Sequence, residues 1–334
     1  MAVRNMTNPE LERAAELVAE ASSVGLVCHV DPDGDALGSL LGLHHLCRAN
    51  GKRSVASWPE PFRVAPHYAF LPGLDDCTKP ADFPGAPDVV VTFDCGSLDR
   101  LNELAEPARA AAGRNRLVVL DHHVTNCRYG TVNVVDPDAA ATAVLVHRLA
   151  AGLGWCLSRD AALCLYTGLV TDTGRFQYAA TTPAVFSLAA ELSSFDLPIS
   201  SMSRQLFEEH RFSYLQLIGT CLSRAVLDRD ARFVASWVTA ADLREHEVSI
   251  DETEGLIDLV RRAHEADVAC VLKETGGGIR VSLRSLGEVD VSRVATRFGG
   301  GGHAFAAGFV APGTIEQVLA EVREAVAAER GWGP

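Results

Sequence analysis

The chain has 334 residues, of which 48% are hydrophobic and 22% charged, enough for one or two globular domains with cores of their own. Its 30 Lys and Arg against 43 Asp and Glu give a formal charge of −13. This charge excludes the broad basic surface that long duplex nucleic acid requires, but it allows a small anionic ligand at a locally positive site.

The apolar residues and the cysteines indicate the compartment. No apolar run reaches the roughly 18 residues of a membrane-spanning helix, and the first residues lack the apolar core of a signal peptide. The nine cysteines are scattered and form no C-x-x-C pair, which argues against a disulfide framework and a zinc ribbon. We therefore expect a protein of the reducing cytoplasm that has no membrane partner.

Short apolar runs alternate with helical patterns in the first half of the chain. The patterns predict helices at 8–22, 36–49, 98–112, 139–151 and 159–170, and strands at 25–30, 53–57, 88–93 and 117–120. Asn8 is placed to cap the first helix, and Gly38 and Gly42 would let another helix approach the second one closely. Strands separated by helices predict an α/β domain whose parallel sheet is covered on both faces.

The second half opens with a helical stretch and ends in a smaller α/β unit. The stretch covers residues 182–222, with one break near Leu197 and Pro198. The smaller unit has predicted strands at 226–228, 233–238, 268–272 and 278–283, and helices at 252–266, 291–297 and 315–328. We expect a first domain at 1–185, a helical connector at 186–223 and a second domain at 224–330.

Histidines and aspartates gather where the predicted strands end. They follow three separate strands and are His29, Asp33, Asp35, Asp94, Asp121, His122 and His123. In an open α/β sheet the carboxyl ends of the strands line the ligand crevice, so these side chains should meet at one edge. A single aspartate there is usually a helix cap, but caps do not explain the histidines.

The residue types at this edge indicate a pair of metal ions. Carboxylate oxygens with a minority of imidazoles suit Mn²⁺, with Mg²⁺ or Co²⁺ as alternatives, and no cysteine pattern supports a zinc thiolate site. Asp172, in the run LVTDTGRF, adds a fourth carboxylate to Asp33, Asp35 and Asp94. Two divalent cations would neutralise these four charges, which would otherwise repel one another and raise their pKa values.

The same residues lie in motifs that resemble those of the DHH phosphoesterase superfamily. The motifs occur in the family's order and are HVDPDGD from His29, FDCG from Phe93, DHH from Asp121 and TDTG from Thr171. The later run GGGGH, ending at His303 and followed by Ala306-Ala-Gly308, resembles the signature of the associated DHHA1 domain. The compact length of the chain is similar to that of one branch of the superfamily. Members of this branch degrade very short oligoribonucleotides and dephosphorylate 3′-phosphoadenosine 5′-phosphate.

The resemblance implies a role for each residue of the first domain. It implies metal ligands at His29, Asp33, Asp35, Asp94, His122 and Asp172. His29 and Asp33 would bind a first ion and Asp94 would bridge both, with the other ligands on the second ion. Asp94 and His123 would be catalytic, and His123 would face the substrate phosphate or assist the leaving oxygen. Asp121 would orient a histidine through a hydrogen bond.

The second domain is implied to hold the rest of the nucleotide. The implied substrate-binding residues, besides His123, are Arg284, Ser285, Gly301, Gly302 and His303. The backbone N–H groups of the glycine run could approach a phosphate that side chains would keep away. Read without the resemblance, the glycines could be a flexible loop and Arg284 a surface ion-pair partner.

The function that the resemblance implies is metal-dependent hydrolysis of phosphoesters. Water activated between two cations would attack phosphorus, releasing 5′-nucleoside monophosphates from short oligoribonucleotides and phosphate from 3′-phosphoadenosine 5′-phosphate. The main alternative is a phosphodiesterase for cyclic dinucleotides and their linear products. The family also implies a possible homodimer.

Other functions fit the sequence less well. A pyrophosphatase would want a strongly basic second domain, and a long-strand exonuclease would want a larger chain with a basic channel. A nucleotide sensor without catalysis should have lost metal ligands, yet every position is filled. A dinucleotide-binding domain would need a G-x-G-x-x-G after the first strand. Phe176 and Tyr178, after Asp172, fit a core or crevice wall, and stacking on a base stays open.

Overall fold

The computed structural model describes residues 8–330 and divides the chain into two compact units, Met1–Glu208 and Glu209–Pro334. The boundary lies inside the predicted connector, which stays a prediction. In the part of the chain that is described, every helix is too short or too polar to cross a membrane.

The first unit alternates strands and helices as the sequence predicts. Its strands are β1 (Ser23–Cys28), β2 (Arg53–Ser57), β3 (Val89–Phe93), β4 (Leu117–Asp121) and β5 (Val132–Val135). Its helices are α1 (Pro9–Glu20), α2 (Gly34–Ala49), α3 (Ala105–Gly113), α4 (Thr142–Leu153), α5 (Arg159–Asp172), α6 (Pro183–Ser193) and α7 (Ile199–Phe207). Asn8 caps α1 as predicted, since its side chain accepts a hydrogen bond from the Glu10 N–H.

The five strands form one parallel sheet in the order β2-β1-β3-β4-β5. Strands β3 and β4 are buried along their whole length, as continuous apolar runs in a covered parallel sheet must be. One face packs against α1, α2 and α4, and α5 and α6 belong to the same apolar cluster. The other face packs against α3 and the 3₁₀ segment Leu98–Leu104. The predicted fold class is confirmed.

The second unit is built around a mixed sheet. Its strands are β6 (Val226–Asp228), β7 (Phe233–Val238), β8 (Val268–Thr275), β9 (Gly278–Ser285), β10 (Gly301–His303) and β11 (Ala306–Ala311), and its helices are α8 (Phe212–Ser223), α9 (Ala240–Glu245), α10 (Leu256–Val260), α11 (Val291–Arg297) and α12 (Ile315–Glu329). The order is β10-β11-β9-β8-β7-β6, with β7 and β8 parallel and the other pairs antiparallel. Helices α11 and α12 cover one face, and α8 and α10 cover the other.

Several predicted elements differ from the structure. The helix predicted at 252–266 is a 3₁₀ turn, Ile250–Thr253, followed by the five-residue α10, because Ser249 and Glu252 cap the turn and Gly255 precedes a new helix start. The helical stretch 182–222 breaks twice, not once. The second break precedes α8, where Arg211 is extended and its guanidinium binds Glu252, 41 residues away.

Other elements went unpredicted or changed type. The strands β5, β10 and β11 and the helix α9 were not predicted, and residues 98–112 begin as a 3₁₀ segment that is interrupted at Asn102. Gly301–His303 is a strand, so the flexible-loop interpretation is wrong for these residues. Glycines favour neither strand nor helix, and here backbone packing decides: a Cβ on Gly302 would lie 2.4 Å from the Ala306 carbonyl oxygen.

Helices α2 and α5 touch backbone to backbone, as the glycines of α2 predict. A Cβ at Gly38 would lie 2.4 Å from the Cys164 carbonyl oxygen and 2.8 Å from the Gly168 nitrogen. At Gly42 it would meet the Leu165 side chain at 2.7 Å. This contact fixes α5, which ends at Asp172, against α2, which begins beside Asp35.

The substitution Gly38→Ala should therefore destabilise the first unit by about 1–3 kcal/mol, because the backbone of α5 must shift to admit one methyl group. The measurement is the midpoint of chemical denaturation. Gly113→Ala is the matched control, since its Cβ meets no described heavy atom within 4 Å and alanine favours the helix. Equal midpoints for the two variants would contradict the close contact.

Candidate metal centre

The carboxyl ends of β1, β3 and β4 lie at one edge of the parallel sheet, and the predicted residues of the first domain meet there. They are His29, Asp33, Asp35, Asp94, Asp121, His122, His123 and Asp172. Asp172 arrives from the last turn of α5 rather than from a strand. The residues predicted to meet because they follow strand ends therefore do lie together.

His29 presents one ring nitrogen to two carboxylates. Its Nδ1 lies 2.8 Å from the Val30 carbonyl oxygen, which can only accept, so Nδ1 is the donor in this contact. The other ring nitrogen, Nε2, is 3.6 Å from Asp94 Oδ2 and 3.9 Å from Asp33 Oδ2. Asp33 divides its oxygens, since Oδ1 caps α2 by accepting from the Asp35 and Ala36 N–H groups.

Asp35 is fully buried, and the start of α4 holds it. Its carboxylate accepts from the Thr142 and Ala143 N–H groups, at 2.5 and 3.0 Å, and from the Ser39 hydroxyl. These are N–H groups of a helix N-terminus, where no carbonyl of the helix is available and a negative charge is favoured. These hydrogen bonds favour the charged form of Asp35 and so act against burial.

Asp94 occupies the centre of the cluster. Its backbone has φ +52°, a left-handed conformation that costs energy for a residue with a side chain. Oδ1 accepts from the Thr142 hydroxyl at 3.0 Å and lies 3.4 Å from His122 Nε2, while Oδ2 faces His29. The two oxygens of Asp94 thus face two different histidines.

His122 repeats the arrangement of His29. Its Nδ1 lies 3.0 Å from the Ala139 carbonyl oxygen, so Nε2 is the ring nitrogen directed at carboxylates. Those carboxylates are Asp172 at 3.2 Å, Asp94 at 3.4 Å and Asp35 at 3.9 Å. A histidine oriented by a carbonyl is typical of metal sites.

Asp121 contacts a histidine, as the resemblance implies. Its Oδ1 lies 2.7 Å from His123 Nδ1 and accepts from the His122 and His123 N–H groups. Its Oδ2 accepts from the Asn126 side chain. The fully buried Asp121 fixes the His123 ring, whose Nδ1 is also 3.5 Å from Asp94 Oδ1.

The carboxylates shift one another's pKa. Burial raises the pKa of Asp35, and the neighbouring Asp94 and Asp172 raise it further. Burial also raises the pKa of Asp172, to about 6. Burial opposes the charged form of Asp94 as well, but the surrounding histidines hold its pKa well below the usual range.

The histidines respond in the opposite sense. Burial lowers the pKa of His122, but the three carboxylates that face it outweigh burial and raise the pKa well above normal. Burial likewise lowers the pKa of His123, and Asp94 and Asp121 together raise it to about 9. The pKa values of two carboxylates, Asp35 and Asp172, and of both histidines are raised, so these groups favour added positive charge.

The donors fit divalent cations. Two groups of three residues place one ligand atom each within 4.8 Å of one another, and they are His29 with Asp33 and Asp94, and Asp35 with His122 and Asp172. All six donors are carboxylate oxygens or imidazole nitrogens, which suit a harder divalent ion. Burial raises the pKa of the nearby Cys28 and Cys95 thiols, so neither offers a thiolate near neutral pH.

Two contacts of this site were not found from the sequence. Thr142 holds both Asp35 and Asp94, and the Ala139 carbonyl orients His122. Both lie after β5, which was not predicted. If Val132–Val135 had been predicted as a strand, the helix that follows it would have been expected to begin at the same edge of the sheet.

The predicted substrate residues of the second unit lie along one edge of its sheet. Arg284 pairs with Ala306 across β9 and β11, and Ala306 pairs with His303 across β11 and β10, so the three share one row and one face. Gly301 and Gly302 lie in β10, and Ser285 is buried next to Arg284. Arg284 Nε is 3.7 Å from Asp258 Oδ1.

Comparison with known proteins agrees with this fold. Residues 23–169 match the DHH family, N-terminal domain, and residues 230–328 match the DHHA1 domain. Two domains of this kind, with an acidic and histidine-rich centre at the sheet edge of the first, define a phosphoesterase. The chain belongs to the DHH phosphoesterase family and is an enzyme that hydrolyses phosphoester bonds.

Relatives extend the match over both domains. The chain is 34% identical to the bifunctional oligoribonuclease and PAP phosphatase NrnA of Thermus thermophilus, over 96% of this chain and 97% of that protein. It is 27% identical to the cyclic-di-AMP phosphodiesterase GdpP of Geobacillus thermodenitrificans over 93% of this chain, which spans only 48% of that protein. A crystal structure of an exopolyphosphatase-related protein from Bacteroides fragilis superposes with a TM-score of 0.86 at 26% identity, covering 96% of each chain.

The affinity of the cluster for a divalent probe such as Mn²⁺ should fall as the pH is lowered through about 6. Asp172, with its pKa of about 6, is ionised above that pH, and below it the ion must displace a proton. The dissociation constant, measured by titration calorimetry, should rise about tenfold per pH unit for each competing proton.

The variant Asp172→Asn is the control, since its amide has no carboxyl proton to lose. It should bind Mn²⁺ more weakly at pH 7.5 and with a shallower dependence on pH. A dissociation constant of the unaltered protein that stays constant between pH 7 and pH 5 would refute the assignment of Asp172 as a ligand.

Proposed function

We propose that this enzyme hydrolyses very short oligoribonucleotides to 5′-nucleoside monophosphates and removes the 3′-phosphate of 3′-phosphoadenosine 5′-phosphate. The observation that carries the proposal is the 34% identity to a relative with both activities, which extends over 96% of this chain. The similarity therefore includes both the first unit, with its metal cluster, and the second unit, where the implied nucleotide contacts lie.

We propose Mn²⁺ as the preferred ion, held by His29, Asp33, Asp35, Asp94, His122 and Asp172. Carboxylate oxygens with two imidazoles favour Mn²⁺, and Mg²⁺ or Co²⁺ are the alternatives. When bound, two such cations lower the pKa of water toward neutrality and offset the charge on phosphoryl oxygens. Asp94, with one oxygen toward His29 and the other toward His122, is the proposed bridge between them.

The proposed role of His123 is to protonate the leaving oxygen. Without bound cations its pKa is about 9, which favours a ring that carries a proton on both nitrogens near neutral pH. Asp121 holds Nδ1 at 2.7 Å, so the proton available to a substrate is the one on Nε2. Transfer of that proton to the 3′ oxygen would serve both substrates, because cleavage of the P–O3′ bond is common to them.

The proposed role of the second unit is to bind the remainder of the nucleotide. Arg284 and His303 occupy one row of the sheet, and an arginine can grip a phosphate through two hydrogen bonds. The glycines of β10 leave backbone N–H groups uncovered by side chains, which suits contact with a phosphate. The chain's charge of −13 favours short substrates over long polymers.

A second candidate function is hydrolysis of cyclic dinucleotides. The supporting observation is the similarity of 93% of this chain to a cyclic-di-AMP phosphodiesterase. The same cluster would cleave the same type of bond. The two functions differ in which substrate is turned over most efficiently.

The cysteines support a reducing compartment, and we propose the cytoplasm. All nine lie among the described residues and are free thiols in the structure. The homodimer implied by the resemblance stays a prediction.

A substrate panel tests the proposal most directly. With Mn²⁺, we expect kcat/KM to be highest for a linear diribonucleotide and 3′-phosphoadenosine 5′-phosphate, lower for cyclic di-AMP and negligible for pyrophosphate. Asp94→Ala should lower kcat for the dinucleotide by about 10³-fold, because it removes the proposed bridge. Full activity of Asp94→Ala would remove the basis of the mechanism, and a preference for cyclic di-AMP would favour the second candidate.

Arg284→Ala should raise KM for the dinucleotide about 10- to 100-fold while kcat changes by less than about threefold, since a charged hydrogen bond to phosphate is lost. Arg284→Lys should recover part of the affinity, because it keeps the charge and loses the paired donors. The control is Arg229→Ala, which removes an exposed arginine paired only with Glu265 at the surface. Unchanged KM in Arg284→Ala would place this arginine outside the site.

A further inference from the structure

We propose that Phe176 and Phe186 form a stacking surface for a nucleobase beside the metal cluster, so that the enzyme recognises a base on its substrate and not only a phosphoester. The proposal rests on the proposed function and adds to it recognition of the nucleobase, which nucleotides have and other phosphoesters lack. Four observations support it: a left-handed turn, its position, a pair of rings of which one is exposed, and an arginine on the turn.

The turn after α5 holds three consecutive residues in the left-handed region. Gly174, Arg175 and Phe176 have φ values of +55°, +61° and +63°. This conformation is unfavourable for residues with a Cβ, so neighbouring contacts must maintain it. Thr173 does so: its carbonyl accepts from the Gln177 and Tyr178 N–H groups, and its hydroxyl oxygen accepts from the Phe176 N–H.

Tyr178 packs on the same turn and leaves room only for a glycine at position 174. A Cβ at Gly174 would lie 2.3 Å from the Tyr178 ring, so the ring covers this position. The turn is therefore held from within by Thr173 and from outside by Tyr178. A backbone maintained against its own preference in this way is characteristic of functional sites.

The turn lies next to the metal cluster. It begins directly after Asp172 and Thr173, at the end of α5. The side chain of Thr171 lies 2.5 Å from where a Cβ on Gly34 would be, which sets the end of α5 against the start of α2. Since α2 begins between Asp33 and Asp35, the turn is at the edge of the sheet where the cluster lies.

The turn brings two aromatic rings together at the surface. The Phe176 and Phe186 ring centroids are 5.4 Å apart with an interplanar angle of 30°. Phe176 packs partly against the core. Phe186, which follows the buried Val185 in α6, is 54% exposed. The core interpretation explains Phe176 but leaves the exposed ring of Phe186 unexplained.

The turn also carries a positive charge at Arg175, the residue before Phe176. The Arg175 guanidinium is 4.8 Å from the centre of the Phe207 ring, a cation–π contact that restricts the arginine. A nucleobase stacks on aromatic rings whatever its identity, because every base has a π-face, and the phosphates that flank it favour a nearby cation. Two rings and one arginine therefore match a nucleotide better than an apolar protein partner.

Paired substrates test this proposal. For the unaltered enzyme with Mn²⁺, KM should be about tenfold lower for a diribonucleotide than for the same molecule with one abasic ribose. Phe186→Ala should raise KM for the diribonucleotide about tenfold, change kcat by less than about twofold, and leave KM for the abasic substrate unchanged. Phe186→Tyr, which keeps the ring, should behave like the unaltered enzyme. Phe212→Ala, the loss of a 75% exposed phenylalanine in the second unit, is the matched control.

Equilibrium dialysis with AMP and ribose 5-phosphate separates this inference from the proposed function. AMP should bind more tightly than ribose 5-phosphate to the unaltered protein, and Phe186→Ala should abolish that difference, even if no dinucleotide is hydrolysed. Equal binding of the two ligands, or an equal effect of Phe186→Ala on the diribonucleotide and its abasic analogue, would overturn the proposal. So would a change of association state in Phe186→Ala seen by sedimentation with its base preference intact, because the ring would then cover a second copy of the chain.

Discussion

The mutual repulsion of four carboxylates at one sheet edge is the constraint on which the site depends. Asp35 and Asp94 are buried, and their charges are acceptable only because the chain supplies partners for them. The start of α4 donates N–H groups and a hydroxyl, and His29 and His122 direct nitrogens toward the same oxygens. Divalent cations would complete this balance, which explains how a stable fold can retain so concentrated a charge.

The rest of the first unit can be understood as the means of bringing these groups together. The parallel sheet delivers residues from three strands to one edge, and the glycine contacts between α2 and α5 set Asp172 opposite Asp35. The left-handed backbone at Asp94, and again at Arg175 and Phe176, shows that strain is concentrated where the chain leaves regular structure beside the cluster. In the second unit, Arg284 and His303 share one row of the sheet, and backbone packing leaves no room for a side chain at the adjacent Gly302.

The sequence was sufficient for the parallel fold, for four of the five strands of the first sheet, and for the neighbourhood of His29, Asp94 and His122. These depend on buried apolar runs and on the polar residue that follows each strand. It was insufficient where distant contacts decide. Thr142 acts through a helix start placed by the short strand β5, and the break at Arg211 depends on Glu252. The strand β10 consists mostly of glycines and is held by backbone pairing with β11. It therefore has no apolar pattern from which a strand could be predicted. Phe176 could be noticed in the sequence, but its pairing with Phe186 required the fold.

The central claim is that this cluster binds two divalent cations, and anomalous diffraction measures it directly. A crystal grown with Mn²⁺ and measured at the manganese absorption edge should show two peaks in the first unit. One should lie among His29, Asp33 and Asp94, and the other among Asp35, His122 and Asp172. A single peak, or peaks remote from these six residues in a fully loaded crystal, would contradict the account.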